Sequence, residues 1–284
     1  MAQQQDEMSF WDHLEELRWT LFRSILALVI LAIGFFAFMR GDDGIFPNII
    51  LGPTRGDFIT YRLFCAVAAS ISFLSEFCDT AFNIEIINIK LATQFFTHMT
   101  TSFWLALVLA FPYLMFEVWK FIRPALYENE KKNVRWVFLF GTGMFFIGCA
   151  VGYFIVFPMT LRFLGTYSLS EAINEQVSLD SYMDNFLMLI FIMGIIFEMP
   201  LLSWLMSKLG LLHRGFFNRY RRHAIVVLLI LAALITPSGD PFTLSLVFIP
   251  LYALYELSAF FVKPAPKVED EDGETDTASG YPNE

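Results

Sequence analysis

Acidic residues in unusual surroundings are the first candidates for chemistry in this sequence. Glu198 lies in the motif Phe197-Glu-Met-Pro200 inside an apolar run. A charge near the middle of a bilayer costs at least ~2.5 kcal/mol, so such an acid usually faces a partner or a water-filled cavity. The alternative is a structural acid bonded to a neighbouring helix. Pro200 is expected to kink the same helix and to free backbone groups beside the carboxyl.

Two further acids, Glu16 and Glu130, lie in polar segments next to apolar runs. Most acids in such segments are solvated charges. Two carboxylates at a membrane surface can nevertheless each bind a guanidinium group through two parallel hydrogen bonds, a geometry that lysine cannot copy. Asp240 precedes Pro241 and either caps a helix that begins there or has a function of its own.

Motifs for covalent chemistry are absent from the sequence. It contains no GxxxxGK[ST] P-loop, no HExxH zinc motif and no GxSxG nucleophile elbow, and its four histidines are scattered. The apolar runs hold neither paired aspartates nor a Ser/His set for intramembrane proteolysis. We therefore predict a protein that is not an enzyme, has no metal site and uses no cofactor.

The three cysteines fall in two different regions. Cys65 and Cys78 lie between the first two apolar runs, and Cys149 lies inside the third. An oxidising exterior favours a Cys65–Cys78 disulfide, worth roughly 3 kcal/mol on the chain-entropy model. Two free buried thiols are the alternative. We interpret Cys149 as a packing residue and the GxxxG motif at 148–152 as close helix packing.

Six apolar runs are the elements that must position these residues. The chain has 284 residues, of which 56% are hydrophobic and only 17% charged. Soluble domains carry about 25% charged residues, so this composition excludes a soluble enzyme as well as a disordered chain. A helix rises ~1.5 Å per residue, so most runs can cross ~30 Å of hydrocarbon, whereas the fifth reaches only ~18 Å. The predicted spans cover about residues 21–39, 99–116, 136–157, 186–206, 224–235 and 242–262.

The distribution of basic residues predicts that both termini are cytoplasmic. Of the 19 lysines and arginines, all but five lie in the N-terminal segment, the loops after spans two and four, and the C-terminal tail. Basic residues accumulate on the cytoplasmic side of a membrane. Residues 1–20 are predicted to include an interfacial amphipathic helix that turns into the first span, and 21–262 to form the membrane domain. Residues 263–284 are predicted to be a disordered acidic tail, which carries most of the net charge of −9.

Several segments resemble the TatC family, the multispanning receptor of the twin-arginine protein translocase. The first, His13-Leu-Glu-Glu-Leu-Arg18, is similar to the family's N-terminal HLxELR signature. The likeness runs in order from about His13 to Val262. The other segments that carry it are 121–130 (first cytoplasmic loop), 153–158 (end of span three), 197–200 (span four), and 236–242 with 249–250 (final hairpin).

This resemblance implies an all-α polytopic membrane protein. Its six transmembrane helices would enclose a concave intramembrane face, and its last two helices would be short. The implied protein is a receptor core in the bacterial cytoplasmic (inner) membrane that binds signal peptides with paired arginines. It would recruit single-span TatA- and TatB-like partners, self-associate in a larger complex, and export folded proteins with the proton-motive force. Nothing in the sequence indicates a nucleic-acid partner.

The resemblance also implies a role for each candidate residue. The implied signal-peptide site comprises Glu16, Arg18, Phe121 and Glu130, and the implied intramembrane cavity is lined by Glu198, Pro200 and Tyr153. The implied partner-docking surface comprises Thr236, Asp240 and Thr243. Pro53 and Pro112 fall on positions that are tied to function or folding. Two positions depart from the family's common pattern, because Leu244 and Glu117 stand where many relatives carry glutamine.

Two other functions are compatible with the residues alone. The first is a proton-coupled secondary transporter that uses Glu198, although the sequence shows no sign of the two related halves typical of such carriers. The second is a passive scaffold for membrane assemblies. Uptake of a small solute by the purified protein would favour the transporter.

Overall fold

The computed structural model of the protein describes residues 10–39, 44–68, 84–122, 134–167, 170, 176–208, 210–236 and 238–262. Cys78, Glu130 and the predicted tail at 263–284 lie outside these residues. Within them the chain forms α1 (Phe10–Phe38), α2 (Ile59–Ala68), α3 (Thr93–Ile122), α4 (Val134–Val151), α5 (Phe157–Thr166), α6 (Leu179–Ile196), α7 (Met199–Lys208), α8 (Arg214–Ile235) and α9 (Pro241–Phe261). A π-helical turn at Gly152–Val156 joins α4 to α5.

Five helical segments in the described part of the chain are long and apolar enough to cross a membrane. They are Leu14–Phe38, Thr93–Phe121, Phe138–Thr166, Leu179–Lys208 and Pro241–Phe261. The helix α8 is not among them, because its first half is rich in arginine and only its second half is apolar. The predicted fifth span, residues 224–235, coincides with that apolar half.

The predicted amphipathic segment and the first span form one continuous helix. The helix α1 runs from Phe10 to Phe38 without a break. This stretch contains no proline, and its single glycine, Gly34, has open space around it. The chain therefore has no residue that would end a helix between the two segments. The helix packs chiefly against α3.

Helices α4 and α6 pack closely against each other in the core. A Cβ atom added at Gly148 would lie 2.5 Å from the Met193 carbonyl oxygen, and one at Gly194 would lie 2.7 Å from the Cys149 sulfur. Because neither glycine has a side chain, the two backbones can approach at this point. The GxxxG motif is thus a packing motif within the chain, and Cys149 is a buried free thiol.

The loops between the spans assemble at one end of the bundle. The strand β1 (Ile86–Ile87) pairs in parallel with β2 (Val177–Ser178), with Ile86 opposite Val177. A π-helical turn (Phe46–Ile50) and a 3₁₀ turn (Gly52–Thr54) precede α2. We call residues 46–68, 84–90 and 177–178 the cap. We call the opposite end, where α1 begins and α3 and α7 end, the terminal end.

Candidate functional site

Glu198 lies in a break between two helices. The helix α6 ends at Ile196 and α7 begins at Met199. Pro200 has no N–H to donate to the preceding turn, so this turn lacks one backbone hydrogen bond of a regular helix. The backbone N–H of Glu198 instead donates to the Ile195 carbonyl at 3.0 Å. The interruption expected from Pro200 is therefore present at the acid itself.

The carboxyl group of Glu198 is buried without a hydrogen-bond partner. Only 5% of the residue is exposed, and neither carboxyl oxygen has a partner among the described residues. The group faces α4 at Gly141, where an added Cβ would lie 3.3 Å from Oε2. The structural alternative, an acid bonded to a neighbouring helix, is thus not seen in the described part of the chain. An unpaired buried acid of this kind is a candidate functional group.

Tyr153 lies at the other end of the bundle from Glu198. Its hydroxyl donates to the carbonyl of Ile49 at 2.8 Å, within the cap. Twelve residues separate Tyr153 from Gly141, a rise of ~18 Å along the helix. The resemblance grouped Tyr153 with the intramembrane cavity, but the structure does not bring it to Glu198.

Tyrosine hydroxyls hold the cap to the helices below it. The Tyr182 hydroxyl donates to the Ile50 carbonyl at 2.5 Å. The Tyr61 hydroxyl lies 2.8 Å from the Pro53 carbonyl and 3.1 Å from that of Pro158. Burial raises the pKa of Tyr61, and the opposing effect of the nearby Arg162 guanidinium is smaller. Pro53 is thus a buried part of this bonded cap.

Two other positions with an implied structural role lie in helices. Pro112 occurs inside α3, which continues through it. Cys65 lies in α2 and is disulfide-bonded. Its predicted partner, Cys78, lies outside the described residues, so the Cys65–Cys78 pairing stays a prediction.

Residues implied in signal-peptide recognition occur at the terminal end. Glu16 is half-buried and Arg18 is exposed in the first half of α1, and Phe121 is half-buried in the last turn of α3. Two contacts show that the helices run antiparallel: Arg23 with Glu117, and Phe36 with His98. The structure therefore places Glu16 and Phe121 at the same end, whereas Glu130 lies outside the described residues.

An ion pair joins α1 to α3 near this end. The Arg23 Nη2 atom lies 3.4 Å from Glu117 Oε2, and the Tyr113 hydroxyl donates to Glu117 Oε1 at 2.9 Å. Glu117 is only 4% exposed. In the sequence, Glu117 departs from the family pattern and Arg23 lies inside the first apolar run. Neither residue by itself predicted the antiparallel packing of α1 and α3 that brings the two together.

Asp240 caps α9 in the turn after α8. One carboxyl oxygen accepts a hydrogen bond from the Thr243 backbone N–H at 2.8 Å, and the other accepts one from the Ser238 hydroxyl. Partial burial would raise the pKa of Asp240, but these hydrogen bonds together hold it below its ordinary value. The capping interpretation thus matches the structure. The side chains of Thr236 and Thr243 are buried, so they do not form an exposed polar patch.

Helices α8 and α9 are also joined by contacts that the sequence did not reveal. The Arg221 Nε–H donates to Glu256 Oε1 at 2.7 Å. The Tyr255 hydroxyl donates to the Phe217 carbonyl at 2.8 Å. In the sequence, Glu256 is a single acid inside the last apolar run. Its partner lies on a different helix, and the spacing of residues along one helix does not predict such a pair.

These features define a polytopic helical membrane protein with an unpaired acid buried at a helix break. No group of three or more His, Cys, Asp or Glu side chains that could hold a metal ion occurs in the described ranges. Residues 12–250 match the family model described as TatC, Sec-independent protein translocase protein. The chain belongs to the TatC family.

Related proteins match most of the chain. The TatC protein of Blattabacterium sp. subsp. Periplaneta americana (strain BPLAN) is 37% identical over 92% of this chain and 97% of its own length. That of Helicobacter pylori (strain J99) is 36% identical over 71% and 81%, respectively. Two crystal structures of the twin-arginine translocase receptor TatC superpose with TM-scores of 0.69 and 0.64 at 28% and 29% identity. Both matches cover 88% of this chain, and they cover 99% and 97% of the two crystallised chains, respectively.

The family and the fold establish the general function. The protein is a multi-pass membrane component of the Sec-independent protein translocase and acts in a complex with other Tat subunits. The relatives are named as translocase proteins, which are transport proteins and not enzymes. The predicted membership of the TatC family and the mostly helical, multi-span fold are confirmed. A translocase family also favours the receptor hypothesis over a small-solute transporter.

Proposed function

We propose that this protein is the receptor core of the translocase and binds signal peptides that carry paired arginines. The observation that supports this most directly is the placement of Glu16 and Phe121 at the same end of two antiparallel helices. The segment that follows Phe121 in sequence carries Glu130. Glu16 and Glu130 each bind one guanidinium group of the signal peptide, with Arg18 and Phe121 beside them.

Carboxylates explain why such a site selects arginine over lysine. A planar guanidinium donates two parallel hydrogen bonds to one carboxylate, whereas an ammonium group acts as a point charge. Glu16 is half-buried, which limits competition by water. Discrimination between two arginines and two lysines is therefore the expected signature of the site.

The proposed topology has six spans in the bacterial cytoplasmic membrane, with both termini and the terminal end in the cytoplasm and the cap outside. Its sixth element is the short apolar half of α8, which local thinning of the bilayer would accommodate. Arginines at the start of α8 support this orientation. Self-association and the proton-motive force complete the proposed export cycle.

Single-span TatA- and TatB-like partners dock on the last two helices. The outward face of α8 supports this part of the proposal, because Val226, Val227 and Ile230 are all more than half exposed. Asp240 fixes the turn between these helices through its cap. Thr236 and Thr243 are buried within the chain, so the partner contact is expected to be mainly apolar in this protein.

Glu198 is proposed to bind a polar group of the signal peptide or partner helix that enters the membrane interior. Its two oxygens have unused hydrogen-bond capacity in the described structure. A polar group that enters would supply the hydrogen bonds whose absence makes burial of this carboxyl costly. Export is expected to fail in Glu198→Ala. Export that is indifferent to this change would remove Glu198 from the mechanism.

The recognition site is tested by photo-crosslinking a labelled signal peptide to the full-length protein in membranes. The double variant Glu16→Ala with Glu130→Ala is expected to abolish the crosslink, and the corresponding Glu→Asp variants to retain part of it. Glu15→Ala is the matched control, because Glu15 is an exposed acid next to Glu16 in the sequence. A peptide with two lysines should crosslink much less than one with two arginines. Normal crosslinking by the double alanine variant would show that the assigned site is wrong.

A further inference from the structure

The helix α1 is held to the rest of the bundle chiefly by α3. The middle of α1 is rich in aliphatic side chains, such as the exposed Leu21, Ile25 and Val29, and the stack of Phe36 on His98 lies nearer its other end. Aliphatic side chains pack in several alternative registers at similar cost, so they do not fix how far one helix is shifted along another. A single polar pair in such an interface can fix that register.

The ion pair of Arg23 with Glu117 has the geometry for this task. Of the two oxygens of Glu117, Oε1 accepts a hydrogen bond and Oε2 makes an ionic contact without a hydrogen bond. The Tyr113 hydroxyl, one turn earlier on the same helix, donates to Oε1 at 2.9 Å. This bond fixes the orientation of the carboxylate, and Oε2 then lies 3.4 Å from Arg23 Nη2 on the opposing helix.

The residues of the ion pair lie on the same helix faces as the proposed recognition residues Glu16 and Phe121. Glu16, Thr20 and Arg23 are spaced i, i+4, i+7, so they share one face of α1, and Thr20 is buried. Glu117 and Phe121 are spaced i, i+4 on α3. Towards the terminal end, Glu16 lies ~10 Å beyond Arg23, and Phe121 lies ~6 Å beyond Glu117. Along the helix axes, Glu16 and Phe121 are therefore within about one helical turn of each other.

We propose that Arg23 and Glu117 are positioning residues that lock the register of α1 on α3. The lock keeps Glu16 level with Phe121 and with the start of the segment that carries Glu130. A slip of one turn would displace Glu16 by ~5.4 Å relative to Phe121. This inference rests on the proposed function for its consequence, but the register itself can be measured independently.

The register is tested by a spin-label distance between Leu14 and Val118 in the full-length protein. Both side chains are exposed and lie on the two helices concerned. We expect one narrow distance distribution in the unchanged protein and a broader or shifted one in Arg23→Gln. The charge-swapped double variant, Arg23→Glu with Glu117→Arg, should restore the narrow distribution. Glu256→Gln is the matched control, because it removes the ion pair between α8 and α9 and should leave the distance unchanged.

Binding of paired-arginine and paired-lysine peptides is measured on the same variants. Arg23→Gln is expected to lower the arginine-to-lysine affinity ratio about tenfold, the scale of one lost charge-assisted contact, and the swapped variant to recover it. An unchanged distance in Arg23→Gln, or no recovery in the swapped variant, would overturn the lock. If the distances respond as expected but the unchanged protein shows no preference for arginine, the lock stands and the proposed function fails.

Discussion

The cap and the half of the bundle nearer the terminal end, here called the terminal half, differ in how their buried polar groups are hydrogen-bonded. In the cap, the hydroxyls of Tyr61, Tyr153 and Tyr182 all reach backbone carbonyls of the loop at residues 49–53. In the terminal half lie Glu117 and Glu198, the two acids that are buried in the described chain. Glu117 has a long contact to Arg23, and Glu198 has no polar partner there.

This difference indicates that the cap has a structural role and that the terminal half is the candidate site. Buried polar groups that are fully bonded fix one conformation of the segments they join. A buried acid with unused hydrogen-bond capacity lowers stability instead, and it is kept where a ligand or partner supplies the missing bond. The cap therefore holds the ends of the helices in place, and the buried acids nearer the terminal end are the groups for which we propose a function.

The largest loss of stability is expected at the packing contact between α4 and α6, which lies between the two regions. In Gly148→Ala the new methyl would lie 2.5 Å from the Met193 carbonyl oxygen, so α4 and α6 must separate. We expect the free energy of unfolding to fall by about 1–3 kcal/mol. Thermal unfolding in detergent measures it.

Gly143→Ala is the control for this experiment. Gly143 lies on the same helix as Gly148 but has nothing within 4 Å of an added Cβ. Replacing an open helical glycine by alanine should leave stability unchanged or raise it by up to ~1 kcal/mol. Equal losses in the two variants would show that the α4–α6 contact is not tight.

The cap should respond to the loss of a single hydroxyl. Tyr182→Phe leaves the Ile50 carbonyl without its 2.5 Å hydrogen bond. The expected loss is about 1–3 kcal/mol, towards the lower end, because one buried acceptor is left unsatisfied. Tyr220→Phe removes a half-exposed hydroxyl from α8 and should have no effect. Similar unfolding temperatures for the two variants would contradict a cap held by tyrosines.

The turn at Asp240 gives a smaller effect that depends on pH. Asp240→Ala removes the cap of α9 and should cost about 1 kcal/mol at neutral pH. Because the folded protein lowers the pKa of Asp240, its contribution is present above the ordinary carboxyl range near pH 4 and is lost as the pH falls through the lowered pKa. The stability difference between the unchanged protein and Asp240→Ala should therefore shrink in acid. A difference that stays constant down to pH 2 would refute this reasoning.

The smallest effect on stability is expected at Glu198, in contrast to the cap. Glu198→Gln keeps the shape of the side chain and breaks no hydrogen bond in the described structure, so the free energy of unfolding should change by less than ~0.5 kcal/mol. Export, measured in cells on a folded cargo, should nevertheless decrease. A loss of stability as large as that of Tyr182→Phe would make Glu198 a structural residue.

Features that depend on local sequence were predictable. Pro200 removes a backbone donor from its helix however the helix packs, and Asp240 directly before Pro241 has the spacing of a helix cap. The spans follow from runs of apolar residues, and five of them coincide with helices of sufficient length. The pairing of distant helices was not predictable in this way, because Arg23 and Glu117 are separated by two spans and a long loop. The hydrogen bond of Tyr153 to the Ile49 carbonyl was not predictable for the same reason.

The sequence by itself determined the class of protein, the apolar helices and the family, since hydropathy, proline breaks and ordered motifs are properties of short segments. The tertiary structure decided which polar groups meet. It buried Glu198 against Gly141, gave Glu117 an arginine, turned Tyr153 towards the cap and buried Thr236 and Thr243 within the hairpin. The physical reason is that each of these contacts depends on the packing and register of helices that are far apart in the chain, which only the folded bundle specifies.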